Sequence, residues 1–220
     1  MSTSNVSGII LEGIAGAGKT TLLRSLLESD AWTAKHHMSS IVLTEHQTLR
    51  VLEPKREANS YSNSDSIDLL DKHVSYLNDL KSNLDNTKWL QRDRTAQQLT
   101  FILERFHLSH VYHYEQLEWQ DVKYLDDKLK DLGAKIILLT IDAADIQKRI
   151  IEDYEKAGWK DYLDTLGNTD DEIINHFVRK QNELLDLAKL TAIPIEIINT
   201  SKLPPTEVLA VMTKSSKFIH

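Results

Sequence analysis

The chain has 220 residues, 41% of them hydrophobic and 27% charged, with a formal net charge of −7 and no cysteine. That length suits one domain carrying a lid, with enough apolar residues for a core. The acidic balance and the lack of any lysine/arginine-rich block argue against nucleic acid as a partner, and the missing cysteine excludes disulfides, thiolate metal sites and a cysteine nucleophile.

Residues 1–7 show neither the basic end nor the apolar stretch of a signal peptide, and no apolar run approaches the roughly 18 residues of a membrane span, so a cytoplasmic protein is expected. The first apolar run, Val6–Glu12, is short and bounded by polar residues, as a strand covered on both faces should be. Four of the seven glycines, Gly8, Gly13, Gly16 and Gly18, fall here or just beyond. Gly8 is expected only to introduce the run. The other three lie in Gly13-Ile14-Ala15-Gly16-Ala17-Gly18-Lys19-Thr20, which fits G-x-x-x-x-G-K-[ST]. An amphipathic helix follows over Lys19–Ser29.

Further strands are expected at Ser40–Thr44, Leu99–Leu103, Lys135–Ile141 and Pro194–Ile198. Between them, helical periodicity marks Ser66–Leu84, Leu108–Trp119, Asp121–Leu132, Ala143–Lys156, Asp170–Leu190 and Thr206–Lys214. Pro54 and a run of Asn and Ser make Glu53–Asp65 a surface loop. Gly133 stops a helix, and Gly158 and Gly167 mark a lid hinge in Ala157–Thr169. Strand and helix alternate, so the expected fold is a three-layer α/β/α domain over residues 1–220, with a five-stranded parallel sheet and a lid at about 150–169. In such sheets ligands bind beyond the carboxyl ends of the strands, so residues just after each strand are the candidates.

The glycine-rich segment supplies the chemistry of a phosphate site. Its glycines let backbone N–H groups turn inward around an anion, and the helix start adds partial positive charge. Gly13, Ala15, Gly16, Ala17, Gly18, Lys19, Thr20 and Thr21 are the candidate ATP-binding residues. Lys19 reaches the β- and γ-phosphates and the Thr20 hydroxyl binds Mg²⁺. This loop alone does not separate a small-molecule kinase from a GTPase or a mechanical ATPase, although no N-K-x-D run is present to read guanine. After the third strand, Glu104 is placed to hold Mg²⁺ or its water shell, and Arg105 to clamp a phosphate or the acceptor. His107, His110 and His113 do not group as metal ligands: on a helix His107 and His113 stand about 120° apart. Phe106, Tyr112 and Tyr114 beside the Glu-Arg pair read first as packing residues.

Glu12-Gly13 running through Gly18-Lys19-Thr20-Thr21, with Glu104-Arg105 downstream, resembles the opening and the acid–arginine motif of the thymidylate kinases and deoxynucleoside kinases, phosphate-loop enzymes of nucleoside and nucleotide kinase type. The resemblance runs over most of the chain. Lys135–Ile141 with Asp142 and Lys148-Arg149-Ile150 is similar to the run into the family's lid helix, and Ile193–Asn199 to its last strand. It implies that Glu45 is the base accepting the proton of a 5′-hydroxyl, that Arg92 or Arg94 holds the acceptor, and that Arg149 acts from the lid. It further implies a nucleoside or nucleotide substrate and a homodimer. The chain departs from the pattern in three places. Glu45 is followed by His46 where the family has proline, Ala15 replaces the acid of many thymidylate kinase loops, and the lid carries Glu152, Asp153 and Glu155, leaving Lys156 and Lys160 as its other cations. The expected activity is transfer of the ATP γ-phosphoryl to a deoxynucleoside or nucleoside monophosphate. A kinase of another small hydroxyl acceptor, or a regulatory nucleotide-binding protein with little transfer activity, remains as the alternative.

Overall fold

Five apolar runs become strands β1 (Val6–Glu12), β2 (Ser39–Leu43), β3 (Leu99–Glu104), β4 (Ala134–Thr140) and β5 (Ile195–Asn199). All neighbours pair in parallel, in the order β2-β3-β1-β4-β5. The computed structural model describes residues 6–33, 39–86, 99–114, 117–153 and 158–215. Arg92, Arg94 and Lys156 lie outside them.

The helices are α1 (Lys19–Glu28), α2 (Asp30–Thr33), α3 (Glu45–Thr48), α4 (Glu53–Glu57), α5 (Asn63–Asp85), α6 (His107–His113), α7 (Trp119–Asp131), α8 (Ala143–Ile146), α9 (Trp159–Asp164), α10 (Asp170–Leu187) and α11 (Pro205–Ser215). A 3₁₀ turn, Arg50–Leu52, joins α3 to α4, and α8 runs on into a π-helical turn, Gln147–Glu152. None of the described helices is long and apolar enough to cross a membrane.

Successive strand side chains point to opposite faces, so a continuous apolar run makes both faces of the sheet apolar. Ile9, Leu11, Ile102, Ile137 and Leu139 pack against Leu22, Leu23 and Leu26 of α1, Phe177 of α10 and Met212 of α11. Ile10, Phe101, Leu103, Ile136 and Leu138 face the other layer, with Leu70, Val74 and Leu77 of α5 and Val122, Leu125 and Leu129 of α7. This is the expected three-layer arrangement. Gly8 does more than introduce the run. It lies inside β1, opposite Phe101 of β3, and a Cβ there would sit 1.9 Å from the Phe101 ring.

Several local expectations are corrected. Leu108–Trp119 is not one helix. Tyr114 leaves α6 in extended backbone, and α7 starts afresh where Glu118 and Asp121 form a reciprocal capping box. Glu53–Asp65 is not wholly loop, since α4 occupies Glu53–Glu57 with Pro54 in its first turn. Another capping box, Ser62 with Asp65, opens α5 at Asn63, ahead of the start that apolar periodicity suggests. The helix expected over Ala143–Lys156 changes its hydrogen bonding at Gln147, and the segment between Gly158 and Gly167 contains α9.

Candidate functional site

The loop from Gly13 to Gly18 joins β1 to α1 at the carboxyl edge of the sheet. Its turn requires left-handed backbone, with φ of +143° at Gly13 and +69° at Gly16. At Gly16 a Cβ would also stand 2.7 Å from Ile150 Cγ1, so the π-turn packs directly onto the loop. Lys19, the first residue of α1, is buried, and its ammonium folds back to donate to the carbonyls of Gly13 at 2.9 Å and Ile14 at 2.8 Å. Burial, reinforced by the nearby Arg105 charge, lowers its pKa to about 7 against the pull of Glu104, Glu45 and Glu12.

Across the crevice, Glu104 ends β3. The Thr20 hydroxyl donates to Glu104 Oε1 at 3.3 Å, and the Glu45 backbone N–H donates to Oε2 at 3.4 Å. Two adjacent hard oxygens, Thr20 Oγ1 and Glu104 Oε1, suit Mg²⁺, which takes few protein ligands and shares the rest of its shell with phosphates and water. Among the described residues no group of three or more His, Asp or Glu gathers that could hold a metal by itself.

Glu45, at the start of α3, is clamped from both sides. Arg50 Nε donates to its Oε1 at 2.7 Å and Arg105 Nε to its Oε2 at 2.8 Å. Burial opposes its charge, but Arg105, Arg50 and Lys19 outweigh it and hold the carboxyl down at about 2. Arg105 takes left-handed backbone, φ +53°, a conformation that non-glycine residues avoid and that concentrates at functional positions. Its N–H donates to Leu11 O at 2.9 Å and its Nη1 to the Tyr112 hydroxyl at 2.6 Å, so both backbone and side chain are tied.

Glu12 points elsewhere. Its Oε1 accepts the N–H groups of Phe106 at 3.0 Å and Ser109 at 3.3 Å, and its Oε2 accepts the Ser109 hydroxyl. Phe106, the N-cap of α6, has no side-chain acceptor of its own, and a carboxylate from β1 takes that part. Burial pushes the Glu12 pKa up.

Arg149 stands apart from this cluster. Its guanidinium donates to Thr200 Oγ1 at 2.9 Å and Thr200 O at 3.0 Å, and Asp145 lies 3.5 Å away. Both Arg149 and Thr200 line a pocket of about 550 Å³, with Gly16, Gly18 and Thr21 at the loop end and Leu22, Leu139, Leu203, Pro204, Pro205 and Val208 as apolar walls. The walls suit a flat ring and the rim offers polar atoms. Lys160 is exposed on α9. Ala15 and Ala17 pack on the core beneath the loop.

Lys19, Thr20, Glu45, Glu104 and Arg105 are thus brought together, and Arg149 is placed at the pocket. Arg50 and Thr200 carry no signal in the motif spacing, and Tyr112 reads from the sequence as packing. Thr200 follows β5, where inspecting the residues just past each strand finds it. Arg50 is harder to find, because it reaches Glu45 only through the turn after a four-residue helix.

No known family's sequence pattern matches the chain, and no curated protein matches it either. Among solved structures it is similar to the YorR protein from Bacillus subtilis in complex with phosphorylated GDP, at 15% identity and a TM-score of 0.54, over 94% of this chain and 93% of that one. It is also similar to deoxyadenosine kinase from M. mycoides with products dCMP and dCDP bound, at 10% identity and a TM-score of 0.46, over 94% of this chain and 97% of that one. The likeness to the first is one of fold, a three-layer α/β/α domain around a parallel sheet.

Proposed function

We propose that the protein is a phosphotransferase that moves the γ-phosphoryl group of ATP to a deoxynucleoside or a nucleoside monophosphate, in the manner of a thymidylate kinase. One observation carries this reading. The Glu45 carboxylate, held between Arg50 and Arg105, has its backbone N–H on the same Glu104 carboxylate that the Thr20 hydroxyl contacts. A triphosphate-binding loop and an acceptor-type carboxylate therefore meet across one acid.

In this reading the loop N–H groups and Lys19 bind the triphosphate, and the pocket beside Arg149 and Thr200 takes the donor base. Thr20 and Glu104 hold Mg²⁺, which neutralises charge on the phosphates when bound. Glu45 orients the attacking oxygen and, where that oxygen is a 5′-hydroxyl, receives its proton. A carboxyl held at about 2 is a weak base, but phosphoryl transfer passes through a loose transition state, so orientation matters more than basicity. Arg105 keeps Glu45 in place.

One observation favours a second reading, a regulatory nucleotide binder with little transfer activity. Arg149 is engaged with Thr200 and Asp145, while Glu152 and Asp153 of the lid root are exposed acids. Purified protein with ATP–Mg²⁺ and a panel of nucleosides and monophosphates separates the two by chromatography of phosphorylated products. The kinase reading expects turnover of at least one panel member and none after Lys19→Ala. Tight ATP binding with no turnover anywhere would select the regulatory reading.

A further inference from the structure

A buried polar chain runs beneath the acceptor carboxylate and is used by none of the steps above. α3 has only four residues, too few to persist by its own hydrogen bonds, and it ends abruptly at Leu49. Its carbonyl end is held by the turn that follows, where Leu52 N–H donates to Leu49 O at 3.1 Å, and by side chains of other elements. His110 Nε2 lies 2.6 Å from Thr48 O, and the Tyr114 hydroxyl donates to Leu49 O at 3.3 Å. A carbonyl only accepts, so Nε2 of His110 carries the proton. Nδ1 then accepts from Ser66 Oγ at 2.9 Å, and Ser66 in turn lies 2.8 Å from the Tyr61 hydroxyl. At the other end the Thr48 hydroxyl has two carbonyls in reach, Thr44 O at 3.2 Å and Glu104 O, of which Glu104 O is the nearer. Thr48, Ser66 and His110 are fully buried. Burial drives the imidazole down to about 4, so it stays neutral and keeps this donor order at ordinary pH.

Apolar side chains would fill the same space without any hydrogen-bonding demand. The chain instead ties the last residue of β3, Glu104, to the helix whose first residue is Glu45. We propose that Thr48 and His110 are positioning residues that fix α3 against β3, and so hold the Glu45 carboxylate at its working place beside Glu104 and Arg105. This rests on the kinase reading of the site.

Thr48→Val removes the hydroxyl at nearly constant shape. With an acceptor that the wild type turns over, kcat is expected to fall about tenfold or more, because small misplacements of reacting groups are costly. The acceptor KM and the ATP–Mg²⁺ affinity should stay within about threefold, since binding groups are untouched. Thr48→Ser should restore kcat. His110→Gln, which keeps an N–H near the Nε2 position, should retain more kcat than His110→Leu. A merely structural role would not produce this split or its rescue by serine. Wild-type kcat in Thr48→Val, or equal impairment in Thr48→Ser, would overturn the proposal. A wild type that turns over nothing would instead defeat the kinase reading. The crystal structure of Thr48→Val still judges the positioning in that case. It should show the Arg105–Glu45 contact, 2.8 Å in the native chain, broken, and an unmoved Glu45 would overturn the proposal.

Discussion

Lys19 is a cation kept in a place that disfavours its charge. Its pKa of about 7 lies well below the ordinary 10.5. Between those values the free protein holds it increasingly neutral, whereas bound phosphates favour the ammonium. Triphosphate binding at about pH 8.5 should therefore take up close to one proton, and affinity should fall as pH rises beyond about 7, approaching tenfold per unit. Titration calorimetry in two buffers of different ionisation enthalpy measures the uptake, and its absence at that alkaline pH would contradict this account of Lys19. Glu45 has the opposite bias. Its carboxyl sits at about 2, below the usual 4.5, so it favours folding above pH 4.5 and loses that effect as pH falls toward 2. Glu45→Gln keeps the shape but removes the anion between two arginines. Turnover is expected to fall about a hundredfold or more, with a smaller change in acceptor KM. Steady-state kinetics with any accepted substrate decide this, and equal turnover removes Glu45 from the mechanism.

The elements nearest the chemistry are short and held by distant side chains. α6 is capped by Glu12 from β1, so Glu12→Ala leaves two N–H groups and a hydroxyl without their acceptor. That should cost about 2 kcal/mol in denaturant unfolding. Glu12→Gln keeps an acceptor oxygen and should lose less. It should also remove a pH effect: a carboxyl whose folded pKa is raised makes stability fall as pH climbs from its unfolded value of about 4.5. Such long-range capping explains what the sequence can convey. The five strands are short, mostly apolar runs, and the phosphate loop is contiguous, so both show in local pattern. The break between α6 and α7 depends on Glu118, an unusual cap, and is hidden under a continuing helical period. The Glu45 clamp needs Arg50, five residues on, and Arg105, 60 residues on, and only tertiary packing brings both to one carboxylate. No spacing rule encodes it.

Over the whole molecule, Asp126 of α7 joins three parts of the chain. It accepts His107 Nε2–H of α6 at 3.0 Å, the Thr191 hydroxyl and the Ala192 N–H at 2.7 Å, beside the turn that leads into β5. Burial works against its charge, but these donors prevail and lower its pKa below 3.8. Its contribution is present above that unfolded value and fades as pH drops through the folded one. Asp126→Ala should cost about 3 kcal/mol at neutral pH and flatten the acid limb of the stability curve, read by urea unfolding across pH. A loss under about 0.5 kcal/mol, the range of an ordinary surface substitution, would show that these bonds are not a structural junction.

The empty position at Gly8 acts on the same scale. Phe101 occupies the space its side chain would fill, and the two residues face each other across β1 and β3. Sliding β1 by two residues along its partner would bring Val6 or Ile10 to the ring, where neither fits, while sliding by one would exchange the side chains the strand gives to the two helical layers. The missing Cβ thus serves as an indexing notch. It sets how far Gly13 stands from Glu104, so the alignment of donor loop and acid is engraved in the sheet several positions before either chemical group begins.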